Sequence, residues 1–325
     1  MSQNIIEVKQ LVKSYDDFAA VKGISFEVER GEIFGFLGPN GAGKSTTINM
    51  LCTTVKPSDG TALVNGYDIV KDQSKVRESI GIIFQENSLD IKMTAKENLM
   101  LHCRLYAVPK KEREHRIDLL LKIVELNDRK DKMVEFFSGG MKRRLEIARG
   151  LLHYPKVLFL DEPMVGLDPQ TRARIWEYIK MLKEEHGTTI FLTTHYMDEA
   201  EVCSRIAIID HGEVIAIDTP ANLKQSVGGD VVELGTENNQ HAIIELKQKY
   251  SIQAVDKDGL VSFQIDQGTQ QISSLIKELE TPIVTLNLRR PTLNDVFLKL
   301  TGRQIREEEL TEKDIMRERM RRGRH

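Results

Sequence analysis

Nine consecutive residues, Gly38-Pro39-Asn40-Gly41-Ala42-Gly43-Lys44-Ser45-Thr46, follow the spacing G-x-x-x-x-G-K-[ST], with an apolar run at 33–37 before them and a helix-like run at 46–51 after. Glycines in such a loop let backbone N–H groups curl around phosphate oxygens, and the helix behind turns the positive end of its dipole toward the same anion. The pattern predicts that Lys44 bridges the β- and γ-phosphates of a nucleotide and that Ser45 holds Mg²⁺. Further along, Asp161 and Glu162 follow the apolar run Leu158-Phe159-Leu160. Two acids at the end of a buried strand stand where open α/β sheets place their ligand crevice. Asp161 suits the water shell of Mg²⁺, and Glu162 suits a general base that polarises an attacking water.

The surrounding elements must bring these residues together. Short β-like runs recur at 5–8, 24–28, 33–37 and 62–64, broken by Gly, Asp and Pro signals, with Pro57-Ser58-Asp59-Gly60 as a turn. From about 94 to 132 the pattern becomes helical, and Thr94-Ala95-Lys96-Glu97 fits a capping box at its start. Wholly apolar runs at 157–160 and 190–192 flank a helical stretch at 172–185. Continuous apolar strands joined by helical crossovers predict a parallel sheet buried on both faces, hence an α/β core with a helical insertion. After a linker rich in Thr219-Pro220 and Gly228-Gly229, the order becomes strand (231–234), helix (240–250), strands (252–255 and 260–265), helix (269–279), strand (283–288). That order fits the split βαβ of a small ferredoxin-like α+β unit. A last helix follows Pro291, with Leu293, Val296 and Phe297 at helical spacing.

The chain has 325 residues, 40% hydrophobic and 29% charged, with a formal charge of -3. That length accommodates one large domain and one smaller. The near-neutral balance gives no general attraction to nucleic acid, so no nucleic-acid partner is expected. Cys52, Cys103 and Cys203 are scattered and form no CxxC pair, which predicts neither a disulfide framework nor a zinc site and fits a cytoplasmic compartment. No apolar run approaches the roughly 18–20 residues needed to cross a bilayer, so membrane contact is expected to be indirect.

With these motifs in order, Phe137-Ser138-Gly139-Gly140-Met141 resembles the signature of the ATP-binding-cassette (ABC) family, whose usual form is Leu-Ser-Gly-Gly-Gln. Only the two flanking positions depart. The helix behind it carries Met141, Leu145, Ala148 and Leu152 along one face, so Ser138 sits at an anion-favouring N-terminus. The resemblance covers about residues 5–220. It implies a P-loop ABC ATPase domain with a parallel sheet core, an antiparallel β subdomain and a helical subdomain. It further implies that Tyr15 stacks on adenine, a contact of about 1–3 kcal/mol if base-stacking values transfer. By the same likeness Gln85 is the Q-loop glutamine, which touches the metal or attacking water. Gly166-Leu167-Asp168 resembles the D-loop at the dimer seam, and His195, in Thr193-Thr194-His195, the switch histidine on the γ-phosphate.

The implied nucleotide contacts are therefore Tyr15, the loop 38–46, Gln85, Ser138, Gly139, Gly140, Asp168 and His195. The implied catalytic set is Lys44, Gln85, Glu162 and His195, with Ser45, Gln85 and Asp161 holding the metal. In this family the signature of one cassette closes over the nucleotide held by another. A chain with one of each needs a second copy, and a homodimer across ATP is expected.

The expected boundaries are 1–225 for the nucleotide-binding domain, 226–302 for the α+β domain and 303–325 for a charged tail. The signature variant, the basic Lys142-Arg143-Arg144 and the stretch Arg290-Pro291-Thr292-Leu293-Asn294-Asp295-Val296-Phe297-Leu298 together resemble exporter ATPases of the daunorubicin-resistance type. In that group the permease is a separate polypeptide, which places the chain peripherally on the cytoplasmic face of the membrane. The expected load is a drug, antibiotic, lipid or polysaccharide. The alternative is an ABC ATPase acting on ribosomes or DNA, against which stands the spacing of 117 residues from Lys44 to Asp161, too short for a coiled-coil arm as well as a helical subdomain. A permease helix would dock on about 87–106, where Ile91, Met93, Leu99, Met100 and Leu105 fit either a contact surface or an ordinary helical core. The C-terminal domain could regulate the ATPase, reinforce the dimer or help hold the permease, and the basic end from Arg317 to His325 could either attract anionic lipid or remain a solvated tail.

Overall fold

Five successive buried residues make β3 (Ile33–Leu37) the centre of the large sheet, and everything in the first unit is arranged to cover it. A computed structural model describes residues 3–16, 18–84, 88–164, 167–265 and 268–302. Gln85, Asn87, Gly166 and the tail from 303 on lie outside the described residues.

The chain begins with β1 (Asn4–Tyr15), β2 (Phe18–Glu29) and β3, followed by α1 (Lys44–Leu51), β4 (Asp59–Val64), β5 (Tyr67–Asp68), α2 (Gln73–Ser79) and β6 (Ile80–Ile83). Strands β1, β2, β4 and β5 form an antiparallel sheet in the order β2-β1-β4-β5. Next come α3 (Ala95–Leu105), α4 (Lys110–Ile123), α5 (Gly139–Leu151), β7 (Val157–Asp161), α6 (Pro169–His186), β8 (Thr189–Thr194), α7 (Met197–Glu201), β9 (Arg205–Asp210) and β10 (Glu213–Asp218). The second sheet runs β10-β9-β3-β8-β7-β6. Its strands from β9 to β6 are parallel, and β10 joins antiparallel at the edge. Strands β3, β7 and β8 are buried along their whole length, which is why their apolar residues run on rather than alternate with polar ones.

The two sheets meet through aromatic rings. Phe26 of β2 stacks on Phe34 of β3 (centroids 5.6 Å) and lies 5.4 Å from Phe36, while Phe191 of β8 touches Phe34, Phe36 and Phe159 at 5.5–5.6 Å. Each such pair adds about 0.5–1.5 kcal/mol beyond its buried area, enough to lock β2 over the strands that end at the site.

The helical expectation for 94–132 resolves into α3 and α4. Thr94 and Glu97 form the capping box (Glu97 N to Thr94 Oγ1 3.1 Å, Thr94 N to Glu97 Oε2 2.8 Å). The break between the helices falls at Ala107, held at φ 50°, and Pro109, the N-cap of α4. Proline disfavours a helical residue before it, so the run cannot continue through.

The chain divides into two compact units after Asp218, ahead of the 225/226 boundary expected from the sequence. The intervening helix α8 (Pro220–Ser226) belongs with the second unit because Lys299 donates to the carbonyls of Ser226 and Val227 at its C-terminal end (2.8 and 2.9 Å). That unit continues with β11 (Asp230–Thr236), α9 (Asn239–Tyr250), β12 (Val255–Lys257), β13 (Leu260–Ile265), α10 (Gly268–Glu278), β14 (Ile283–Arg289) and α11 (Leu293–Thr301). Its sheet is antiparallel in the order β12-β13-β11-β14, the split βαβ arrangement. Val232 and Leu234 of β11 join Ala242 and Leu246 of α9, Val261 and Phe263 of β13, and Ile272 and Leu275 of α10 in one core. Arg289 grips Asp295 through two bonds (2.6 and 3.0 Å), and Asp295 completes a capping box with Thr292, which gives the Arg290-Pro291-Thr292 stretch a local structural role.

Candidate active site

Three parallel strands, β3, β8 and β7, end side by side, and the residues that could do chemistry extend from those ends. The loop after β3 is held from both sides. Gly38 N donates to the Thr194 carbonyl (3.2 Å), and a Cβ on Gly38 would stand 2.2 Å from the Ile209 carbonyl oxygen. Gly43, at φ 102°, caps α1 in the left-handed region, a conformation that side chains resist. The loop can therefore keep its backbone close to a ligand only if these positions stay glycine.

Lys44 is 4% exposed. Its ammonium donates to the carbonyls of Gly38 (2.8 Å) and Pro39 (3.1 Å) and lies 3.3 Å from Glu162 Oε1. Burial lowers the Lys44 pKa below the usual lysine range, against the opposing pull of Glu162 and Asp161. Glu162 is 8% exposed, and its Oε1 is also 3.0 Å from His195 Nδ1. Burial alone would raise the Glu162 pKa, but the His195 hydrogen bond and the Lys44 charge outweigh it, so the carboxyl is held below its ordinary value. The backbone of Glu162 is unusual as well, with φ 47° and its N–H within 3.2 Å of both the carbonyl and the hydroxyl oxygen of Thr193.

Asp161 receives two hydroxyls on one oxygen, Thr193 Oγ1 at 2.6 Å and Ser45 Oγ at 3.1 Å. Burial raises its pKa, and these hydrogen bonds oppose the rise. A hydroxyl and a carboxylate, both hard oxygen donors, fit a Mg²⁺ that completes its shell with phosphate oxygens and water.

Direct contacts thus join Lys44, Ser45, Asp161, Glu162 and His195. Ser138, Gly139 and Gly140 do not join this set. They are exposed at the N-terminus of α5, and the Ser138 hydroxyl caps its own helix by accepting from Met141 N (3.3 Å). Asp168 is exposed and caps α6, accepting from Thr171 N (2.9 Å) and Thr171 Oγ1 (2.7 Å). Tyr15, at the end of β1, is half exposed with the Lys13 ammonium 4.8 Å from its ring centre. Gln85 falls outside the described residues.

Two residues escaped the sequence reading. Thr193 had stood only as context for His195, yet it is the closest hydrogen-bond partner of Asp161. Arg143, noted only as part of the basic helix start Lys142-Arg143-Arg144, is buried against the main chain of Asp161 and Glu162. The available signal was a second stripe on α5, for Arg143, Ile147 and Gly150 lie at i, i+4 and i+7 and all are buried.

The likeness to known proteins agrees with this geometry. Residues 21–165 match the family model described as "ABC transporter", and residues 219–301 match "ATP-binding protein DrrA1-3-like, C-terminal domain". The chain is 39% identical over 320 residues to the linearmycin resistance ATP-binding protein LnrL of Bacillus subtilis (strain 168), covering 93% of this chain and 100% of that protein. It is 38% identical over 305 residues to the daunorubicin/doxorubicin resistance ATP-binding protein DrrA of Streptomyces peucetius, covering 91% and 92% respectively. Among solved structures, a bacterial ABC transporter cassette solved as a dimer, MJ0796, aligns with a TM-score of 0.62 at 30% identity, over 66% of this chain and 98% of that one. A role on ribosomes or DNA gains no support from these relatives. With a phosphate loop, a carboxylate pair and a histidine gathered at the ends of adjacent parallel strands, and relatives alike along nearly their whole length, the chain belongs to the ABC transporter ATP-binding proteins and is an ATP-hydrolysing subunit of that family.

Proposed function

We propose that two copies of this chain close around two ATP molecules and power export through a separate membrane permease, with a drug or antibiotic as the load. The observation that carries the two-copy reading is the separation within one chain. Lys44 and His195 converge on one oxygen, Glu162 Oε1, whereas Ser138, Gly139 and Gly140 remain exposed at the start of α5. A signature positioned that way suits a nucleotide on another copy, its helix N-terminus favouring the anion. The MJ0796 cassette, solved as a dimer, supports the two-copy reading.

Within each site, Tyr15 would stack on the adenine and the loop 38–46 would cradle the phosphates. Ser45 and Asp161 would hold Mg²⁺, which when bound neutralises phosphate charge. Glu162 would take the proton of the attacking water, with His195 holding that carboxylate and reaching the γ-phosphate. The drug or antibiotic load is argued from the linearmycin and daunorubicin/doxorubicin resistance named for two relatives.

Among the described residues no helix is long and apolar enough to cross a membrane, so a permease would supply the spans and place the chain on the cytoplasmic face. The docking surface narrows in the folded protein. Leu99 is wholly buried in the helical core, while Ile91 and Leu105 are 48% and 72% exposed. Ile91 is joined by Phe136, 76% exposed, because the Ile91 carbonyl accepts from the neighbouring Glu135 N–H (3.0 Å). Co-expression with a candidate polytopic permease from the same genome tests the proposal. A detergent-stable complex with ATP-dependent drug efflux is expected, and ATPase activity stimulated by ribosomes or DNA, with no permease bound, would overturn it.

A further inference from the structure

Arg143 is a buried cation to which the chemistry above assigns no part. Its side chain is 8% exposed, and among the described residues its donors go to main-chain carbonyls rather than to carboxylates. Nε donates to Pro163 (3.2 Å), one terminal nitrogen to Glu162 (3.0 Å) and Asp161 (3.4 Å), and the other to Phe84. A guanidinium taken out of water is costly unless its donors are satisfied. Its planar fork of five N–H groups can hold several carbonyls in one fixed geometry, which an ammonium cannot.

The carbonyls it gathers belong to two strand ends. Phe84 follows β6, and Asp161, Glu162 and Pro163 close β7. Among them is Glu162, whose φ of 47° persists only where neighbours over-determine it. The same helix holds Ser88 from its next turns. Glu146 accepts from Ser88 Oγ (2.8 Å) and N (3.4 Å), and Arg149 donates to the Ser88 carbonyl (2.8 Å). This helix, α5, begins at the signature, Ser138 being its N-cap.

We infer that Arg143 is a positioning residue for hydrolysis, making the signature helix and the backbone of Glu162 one body, so that engagement of Ser138 by a nucleotide on the second copy is felt at the chain's own general base. The inter-copy part rests on the two-copy reading above; the hold on Glu162 does not. Among the described residues the hydrogen bonds of Arg143 go to the ends of β6 and β7 and not to the phosphate loop, so it should affect turnover rather than ATP affinity. That split separates positioning from general damage to the fold.

The test uses the full chain as wild type, Arg143→Gln and Arg143→Lys. Turnover is followed against ATP concentration and scaled by the binding stoichiometry of a fluorescent ATP analogue, which counts folded sites. In Arg143→Gln, kcat should fall at least about tenfold, as misplacement of a reacting group by a fraction of an ångström allows. Affinity for the analogue should stay within about twofold and the Hill coefficient should drop to one. Arg143→Lys should recover part of kcat, since an ammonium presents three donors from one point. A scaled kcat at the wild-type level, or a kcat loss matched by an equal loss of affinity, overturns the inference. If Arg143→Gln does not fold, Arg143→Lys is judged by the same criteria, and full wild-type turnover there overturns it. If Glu162→Gln with Arg143 intact gives no ATP-driven dimer, the two-copy reading fails by itself, and kcat still decides whether Arg143 positions Glu162.

Discussion

Lys44 Nζ and Glu162 Oε1 stand 3.3 Å apart, so the cation expected to bridge the nucleotide phosphates is paired with the carboxylate expected to activate water. His195 Nδ1 shares the same oxygen at 3.0 Å. On the proposed roles, phosphate oxygens entering the loop would compete with Glu162 for Lys44, and their arrival would loosen the carboxylate at the moment a water must be polarised. Replacing Glu162 by Gln would remove both the proposed base and the competing charge. Steady-state hydrolysis should drop by about 10²–10⁴-fold, the usual worth of a general base. ATP affinity should hold or improve, and the ATP-bound dimer should accumulate on size-exclusion chromatography. Wild-type turnover in Glu162→Gln would remove that residue from the role.

Two glycines of the loop should respond differently to one added methyl. At Gly41 a Cβ meets nothing within 4 Å, but φ is 80°, so Gly41→Ala should cost only the left-handed backbone penalty of about 1–2 kcal/mol. At Gly38 the Cβ would lie 2.2 Å from the Ile209 carbonyl oxygen, a main-chain atom of β9 that cannot swing away. Gly38→Ala must displace the loop, with a larger fall in melting temperature and at least a tenfold loss of affinity for a fluorescent ATP analogue. Equal behaviour of the two variants in melting and binding would show that the approach to Ile209 does not set the loop.

The site was legible where its chemistry is local. The loop 38–46 and the pair Asp161-Glu162 each follow directly on an apolar run, so their residue types and spacing announced them, whereas His195 was found only through the likeness to the family and the order of its motifs. Their assembly was not legible, because it depends on β3 pairing with β8 and β8 with β7, and strand order leaves no mark in any one segment. Arg143 was missed for a different reason. Its partners are carbonyls of Phe84, Asp161, Glu162 and Pro163, and a carbonyl has no residue type to recognise. Leu99 stood as a docking contact or a core residue alike, because one helical period describes both a core stripe and a binding stripe; only packing distinguishes them.

A proposed docking face for the permease lies where the helical region leaves large apolar side chains uncovered. Ile91 and Phe136 are exposed on neighbouring segments, and large apolar groups grouped on a surface favour a protein partner. Changing both to Asp should abolish co-purification with the permease, since each buried charge without a partner costs more than the contact it replaces. Leu99→Asp, by contrast, should lower the melting temperature sharply because that side chain is wholly buried. Retained co-purification of the Ile91 and Phe136 double variant would move the docking face elsewhere.

Acid should weaken the first unit through two histidines of its helical region. Tyr106 stacks on His153 (centroids 3.9 Å) and lies 4.5 Å from His102. His153 Nε2–H donates to the Ile80 carbonyl (3.1 Å). Burial pushes His153 down to about 4, and burial together with Arg149 and His153 pushes His102 down to about 3, both from an ordinary value of 6.5. Between those values the unfolded chain binds protons that the folded chain refuses, so stability rises with pH across the window. The contribution is complete above about pH 6.5 and is lost as pH falls through it toward 4. Each histidine can weigh up to about 1.4 kcal/mol per pH unit, a few degrees in melting temperature for a domain of this size, on the order of 2–4 °C per kcal/mol. His102→Phe keeps an aromatic ring beside Tyr106 and removes one of the two protons, so its melting temperature should fall about half as steeply between pH 6.5 and 5 as that of the wild type. Parallel slopes for the two proteins in a thermal-melt series would mean that His102 does not resist protonation in the fold.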